Sequence, residues 1–94
     1  MIKKASKSAS GTAFFGDTIT TSIGKLIELF PNSYSKNMAK TNYYFILETS
    51  DGDIFTLYDW KQPLPSSDEQ VIFNIGGHSQ EITEKAKLEL IELI

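Results

Sequence analysis

The sequence predicts an α+β domain, a small antiparallel sheet of about four strands around a central β-hairpin, packed with two helices in the order β-α-β-β-β-α. Three observations predict it. Two aromatic and β-branched runs within Tyr43 to Trp60 flank Asp51-Gly52, a dipeptide suited to a tight reversal because Gly accepts positive φ freely and Asp tolerates it. Ile23, Leu26, Ile27 and Phe30 recur at i, i+3, i+4, i+7, the stripe of an amphipathic helix. A run of strong helix formers, Glu81 to Ile94, follows a further strand-like segment.

Taken in order, residues 1–10 are small, polar and basic, with only Ile2 to bury. They read as a flexible N-terminal arm, either a frayed end or a lysine tether for an acidic partner, ahead of a single domain at 11–94. Gly11 to Gly16 is an apolar segment long enough for one edge strand, with Phe14 and Phe15 expected in the core. Thr20 or Thr21 is expected to cap the first helix, and Pro31 to end it. Gly24 inside that helix costs about 1 kcal/mol relative to alanine and is explained by a close approach of another backbone or by simple tolerance.

Asn32 to Thr41 is a polar connection, with Tyr34, Lys36, Asn37 and Lys40 as contact candidates against the plainer reading of a solvated linker. A two-residue type I′ turn at Asp51-Gly52 would set Leu47 opposite Thr56, Phe45 opposite Tyr58 and Tyr43 opposite Trp60. One face then carries Tyr43, Phe45, Leu47, Ile54, Tyr58 and Trp60, and the other Tyr44, Ile46, Phe55 and Leu57. Both faces would need cover. After Pro63 and Pro65, Gln70 to Ile75 forms the next strand, with Val71, Phe73 and Ile75 on one side and Ile72 and Asn74 on the other. Ser79 is a good N-cap for a last helix whose stripe is Ile82, Ala86, Leu90 and Leu93. Leu88, Ile91 and Ile94 lie off that stripe, and with the two sheet faces they lead to the expectation of a homodimer or higher oligomer.

Ninety-four residues without a cysteine exclude disulfide stapling and thiolate metal sites and fit a reducing compartment. Apolar runs are too short for a membrane span, and no signal-peptide core is present, so a soluble protein with no membrane partner is expected. Nine lysines, no arginine and a net charge of −3 count against duplex nucleic acid. A small anion remains compatible, held by lysine or by backbone N–H groups.

Gly76-Gly77-His78-Ser79, at a helix start, is the first candidate ligand site: glycines admit a close ligand, helix-start N–H groups face an anion, and His78 adds a hydrogen bond. A tight reversal explains the same glycines. Tyr43, Tyr44, Tyr58 and Trp60, with Lys61 beside them, form the second, since such rings stack on nucleobases; core packing is the plainer reading. Asp51 and Asp53 are explained by turn chemistry rather than calcium. One histidine, no cysteine and no nucleophile-elbow pattern leave no catalytic or metal constellation, so a non-enzymatic protein without a cofactor is expected.

The segments Gly11 to Thr20, Leu47 to Lys61, and Phe73 to Ser79 with the following helix together resemble a family of small phage and prophage proteins. The resemblance implies a viral accessory protein in the bacterial host cytoplasm that counters host defence. Three functions are compatible with it: sequestering a small phosphorylated, cyclic nucleotide signal; binding a defence protein such as a CRISPR nuclease directly; or serving as a structural phage component.

Overall fold

The computed structural model describes residues 2–36, 42–59 and 66–94. Its elements are β1 (Lys3–Lys4), β2 (Ala13–Ser22), α1 (Ile23–Leu29), β3 (Tyr34–Lys36), β4 (Tyr43–Glu48), β5 (Ile54–Tyr58), β6 (Gln70–Gly77) and α2 (Gln80–Leu93). The α+β class and the antiparallel pairing are as expected. The strand number is not: the described residues form a six-stranded sheet in the order β1-β4-β5-β6-β2, with β3 also on β4. Chain order is accordingly β-β-α-β-β-β-β-α. The two added strands, β1 and β3, have two and three residues, too few to show a period-2 pattern. They lie along the same side of β4, Lys3 opposite Glu48 and Tyr34 opposite Phe45.

Residues 2–5 therefore do not stand away from the domain. Ile2 is buried in the core, the Lys3 ammonium lies 3.3 Å from the buried Glu48 carboxylate, and Ala5 N–H donates to Ile46 O at 3.2 Å.

The hairpin is present with a different loop. Thr49 N–H donates to Asp53 O and Gly52 N–H to Thr49 O, both at 2.9 Å, and Gly52 has φ +85°. This is a three-residue loop ending in a left-handed glycine, the second common way to close a hairpin. One extra loop residue moves the register by one, so Leu47 faces Phe55, Phe45 faces Leu57 and Tyr44 faces Tyr58. The expected pairings, Leu47 with Thr56 and Phe45 with Tyr58, are replaced.

The slip sorts the side chains. Phe45, Leu47, Phe55 and Leu57 now share one face and are fully buried with Val71, Phe73 and Ile75 of β6. Helices α1 and α2 cover that face through Ile23, Leu26, Ala86 and Leu90. The second face is mixed, carrying Tyr44, Ile46, Glu48, Ile54, Thr56 and Tyr58 from β4 and β5. The chain between β1 and β2 begins on the β4 edge at Ala5 and ends with Thr12 and Ala13 against Thr56 and Gly76, so it passes over this second face. The need for two oily covers was thus a product of the expected register.

Strand β2 runs further than its apolar segment, through Asp17 to Ser22, because β-branched Thr18, Ile19, Thr20 and Thr21 pair with β6. Its register breaks between Phe14 and Thr18, at a bulge containing Gly16 with φ +102°. The bulge turns Phe14 and Phe15 outward, 48% and 40% exposed, in place of the expected core positions. Ser22, rather than Thr20 or Thr21, caps α1, its Oγ accepting from Lys25 N–H at 3.2 Å. Gly24 meets another backbone: its N–H donates to Ser67 O at 2.8 Å, and a Cβ there would lie 2.7 Å from the same oxygen. Ser79 caps α2 as expected, accepting from Ile82 N–H at 3.3 Å. Helix α2 also grips the hairpin loop, Glu89 Oε1 accepting from Ser50 N–H at 3.1 Å and Lys85 pairing with Asp51.

Candidate functional site

Gly76 and Gly77 do not form an open turn ahead of the helix. Both belong to β6 and are buried, and each is small for a packing reason. A Cβ at Gly76 would lie 2.4 Å from Thr56 Oγ1 on the mixed face, and one at Gly77 would lie 2.9 Å from Thr83 Cγ2 on the helix-covered face. His78 is exposed, its imidazole beside Gly11, while the Ser79 hydroxyl is engaged as the N-cap. Tyr43 points to the core side, its ring centroid 5.8 Å from that of Tyr34. Buried Asp59 accepts from the N–H groups of Asn42 and Tyr43 at 2.9 and 3.0 Å and from Asn42 Nδ2 at 3.1 Å, fixing the end of the hairpin opposite its loop.

Of the expected ligand residues, Tyr58 and Gly76 are brought together. Tyr43, Gly77, His78 and Ser79 are directed elsewhere. Trp60 and Lys61, with Asn37 and Lys40 of the polar connection, lie outside the described residues, and Lys36 pairs through its backbone with Tyr43.

What assembles around Tyr58 is a site on the mixed face. The Tyr58 and Tyr44 rings stack with centroids 5.9 Å apart and planes 22° from parallel. Burial, and after it the neighbouring Tyr44 phenol, pushes the Tyr58 hydroxyl above its ordinary value. Tyr44 lines two concavities. One, of about 120 Å³, is formed with Thr12, Ala13, Thr56, Tyr58 and Gly76. The other, of about 220 Å³, is formed with Lys4, Lys7, Asn32, Tyr34 and Ile46 among others, and no carboxylate lines it among the described residues. Either is smaller than the roughly 300 Å³ at which ligand pockets begin, and the two with Tyr44 between them reach that size. On the same face Asn74, 6% exposed, carries a side-chain N–H₂ with no hydrogen-bond partner among the described residues. Such a group is uncommon in a folded interior.

Tyr44 belongs to the aromatic cluster visible in the sequence, but the assumed register put it opposite Asp59 and away from Tyr58. Lys4 and Lys7 showed only as basic residues of an arm; nothing in their spacing says that β1 draws them beside a tyrosine.

A separate and larger groove, about 760 Å³, runs between the outer edge of β2, from Thr18 to Ser22, and helix α2 at Lys87, Ile91 and Ile94, with Lys25 and Gln70 at its ends. No described strand lies beyond β2 on that side. No metal-binding cluster of His, Asp or Glu occurs among the described residues, and none of the described helices is long and apolar enough to cross a membrane. Comparison with protein-family models, with curated proteins and with solved structures finds no match to this chain.

Proposed function

We propose that this is a non-enzymatic protein that captures a small phosphorylated nucleotide on the mixed face of its sheet. The supporting observation is Tyr44: it stacks on Tyr58 and stands between a concavity beside Gly76 and Thr56 and a second one edged by Lys4 and Lys7. A base lies against the tyrosine pair, where stacking contributes about 1–3 kcal/mol per base. Phosphate oxygens face the Lys7 ammonium, which acts as a point charge rather than as a bidentate fork. The buried Asn74 amide supplies an unused donor on the same face. The resemblance to phage and prophage proteins supplies the setting, removal of a cyclic nucleotide signal on which a bacterial defence depends.

Titration calorimetry against a panel of cyclic mono- and dinucleotides tests the reading. One member is expected to bind, and Tyr44→Ala to weaken it at least tenfold, with Lys7→Glu weakening it and reducing its salt dependence. Silence across the panel refutes the proposal.

A second reading, direct contact with a host defence protein such as a CRISPR nuclease, is favoured by the exposure of Phe14, Phe15 and Ile72 at 48%, 40% and 62%. Reconstituted defence complexes that are inhibited by the wild type but not by Phe14→Ser/Phe15→Ser would establish it.

A further inference from the structure

The open side of β2 lies opposite the β4 edge that β1 and β3 line, and the nucleotide reading makes no use of it. Its exposed segment, Thr18-Ile-Thr-Thr-Ser22, contains no charge, no proline and no bulge, the usual devices that keep an edge strand from pairing. The bulge guards only the part before Thr18. Beside the same edge, α2 presents Ile91 and Ile94 at 51% and 38% exposure, with Leu88 at 67% on the side turned away from the core. An edge and a helix flank that are unprotected together call for one occupant covering both.

We propose that the occupant is a second copy of the chain, joined by antiparallel pairing of the two β2 strands about a two-fold axis through Thr20. An antiparallel strand pair is self-complementary under such an axis, which closes the assembly at two. The registration of α2 on β2 carries the argument further. Helix α2 follows β6, which is antiparallel to β2, so α2 runs in the direction of β2, and Thr83 Oγ1 donates to Asp17 Oδ2 at 2.7 Å, fixing one against the other. Moving from Asp17 to Thr20 advances about 10 Å along the strand. The same advance along α2 takes between six and seven residues at about 1.5 Å each, from Thr83 to a point between Glu89 and Leu90.

The axis therefore sets Ile91 at the level of Leu88 of the second copy. The two helices come to lie side by side on the same face of a continuous sheet, apolar residue on apolar residue. Lys25, a cation of the groove, stands just past Ser22, the residue that faces Thr18 of the second copy, and so comes near that copy's Asp17. Charge complementarity of this kind selects a copy over an unrelated neutral or basic segment.

The test uses light scattering and sedimentation of the full chain over a wide concentration range. The expected mass is twice 10.5 kDa. Ile91→Glu, at an exposed position that leaves the fold intact by circular dichroism, is expected to yield monomer. Lys25→Glu is expected to raise the dissociation constant about tenfold through two symmetric like-charge contacts, and Lys25→Glu/Asp17→Lys to restore it. A monomer at every concentration overturns the proposal. So does a dimer indifferent to Ile91→Glu, a Lys25→Glu defect that the double exchange fails to restore, or an open-ended series of larger assemblies.

Discussion

Replacing Gly76 by alanine is the sharpest test of why the paired glycines are there. If they serve packing, the added methyl group strikes Thr56, whose Oγ1 lies 2.4 Å from the position the new Cβ would take, well inside the 3.0 Å below which such contacts are essentially never found. Thr56 is 1% exposed, and its β-branch leaves few rotamers that avoid the clash. Overpacking of this kind costs about 1–3 kcal/mol, a large share of a domain's roughly 5–15 kcal/mol but not all of it. The other atoms near that Cβ, Ala13 O at 3.5 Å and Tyr58 Cε1 at 3.7 Å, are at ordinary contact distance, so the strain should belong to one partner. Thr56→Ala removes that partner. Urea unfolding of the wild type, the two single variants and the double variant should then give a favourable coupling of about 1–2 kcal/mol, with an unchanged denaturant slope. Thr56→Val, which keeps the branch, should give no relief. Single effects that add within about 0.5 kcal/mol, or a Gly76→Ala variant as stable as the wild type, would refute the account.

Asp59→Ala removes the acceptor of three hydrogen bonds at a fully buried position, two of them from backbone N–H groups, and should cost about 3–5 kcal/mol in the same assay. A loss below about 1 kcal/mol would show that water or another group takes over those donors. For Tyr58, folding raises the pKa above that of the unfolded chain, so the folded state holds its proton more tightly. The associated stability is complete below about pH 10 and is lost as pH rises through the folded value. Denaturation profiles across the alkaline range should therefore fall more steeply for the wild type than for Tyr58→Phe; parallel profiles would count against the burial of that hydroxyl.

The long periodic segments were legible from the residues alone: the α1 stripe, the Ser79 cap of α2, the inward set Val71, Phe73 and Ile75, and a hairpin turning at Gly52. Three things were not. A loop one residue longer than assumed is invisible in composition, since Asp-Gly suits either closure, yet it exchanges Tyr58 for Leu57 opposite Phe45. Strands of two or three residues, such as Lys3–Lys4, carry no period and exist only because β4 offers an edge. The extension of β2 through Thr18 to Ser22 was hidden because Thr20 and Thr21 suit a helix cap as well as a strand, and only pairing with β6 decides between them. The candidate site suffered most, because Tyr44, Tyr58 and Gly76 meet through register and Lys4 and Lys7 through a strand that had no signature.

The pairing of β2 with β6 also sets the order in which the chain can mature. Thr20 meets Ile72, and Ala13 meets Gly77, across more than half the polypeptide. While the chain is being synthesised, the segment from Ala13 to Ser22 emerges early and has no docking strand until β6 is made. The local β4-β5-β6 meander can collapse first, at little loop-closure cost, whereas closure by β2 brings the long-range contacts that slow folding. In that interval a threonine-rich ribbon whose one charge is Asp17 is exposed on both sides, which makes the nascent chain more vulnerable to self-association than the finished protein.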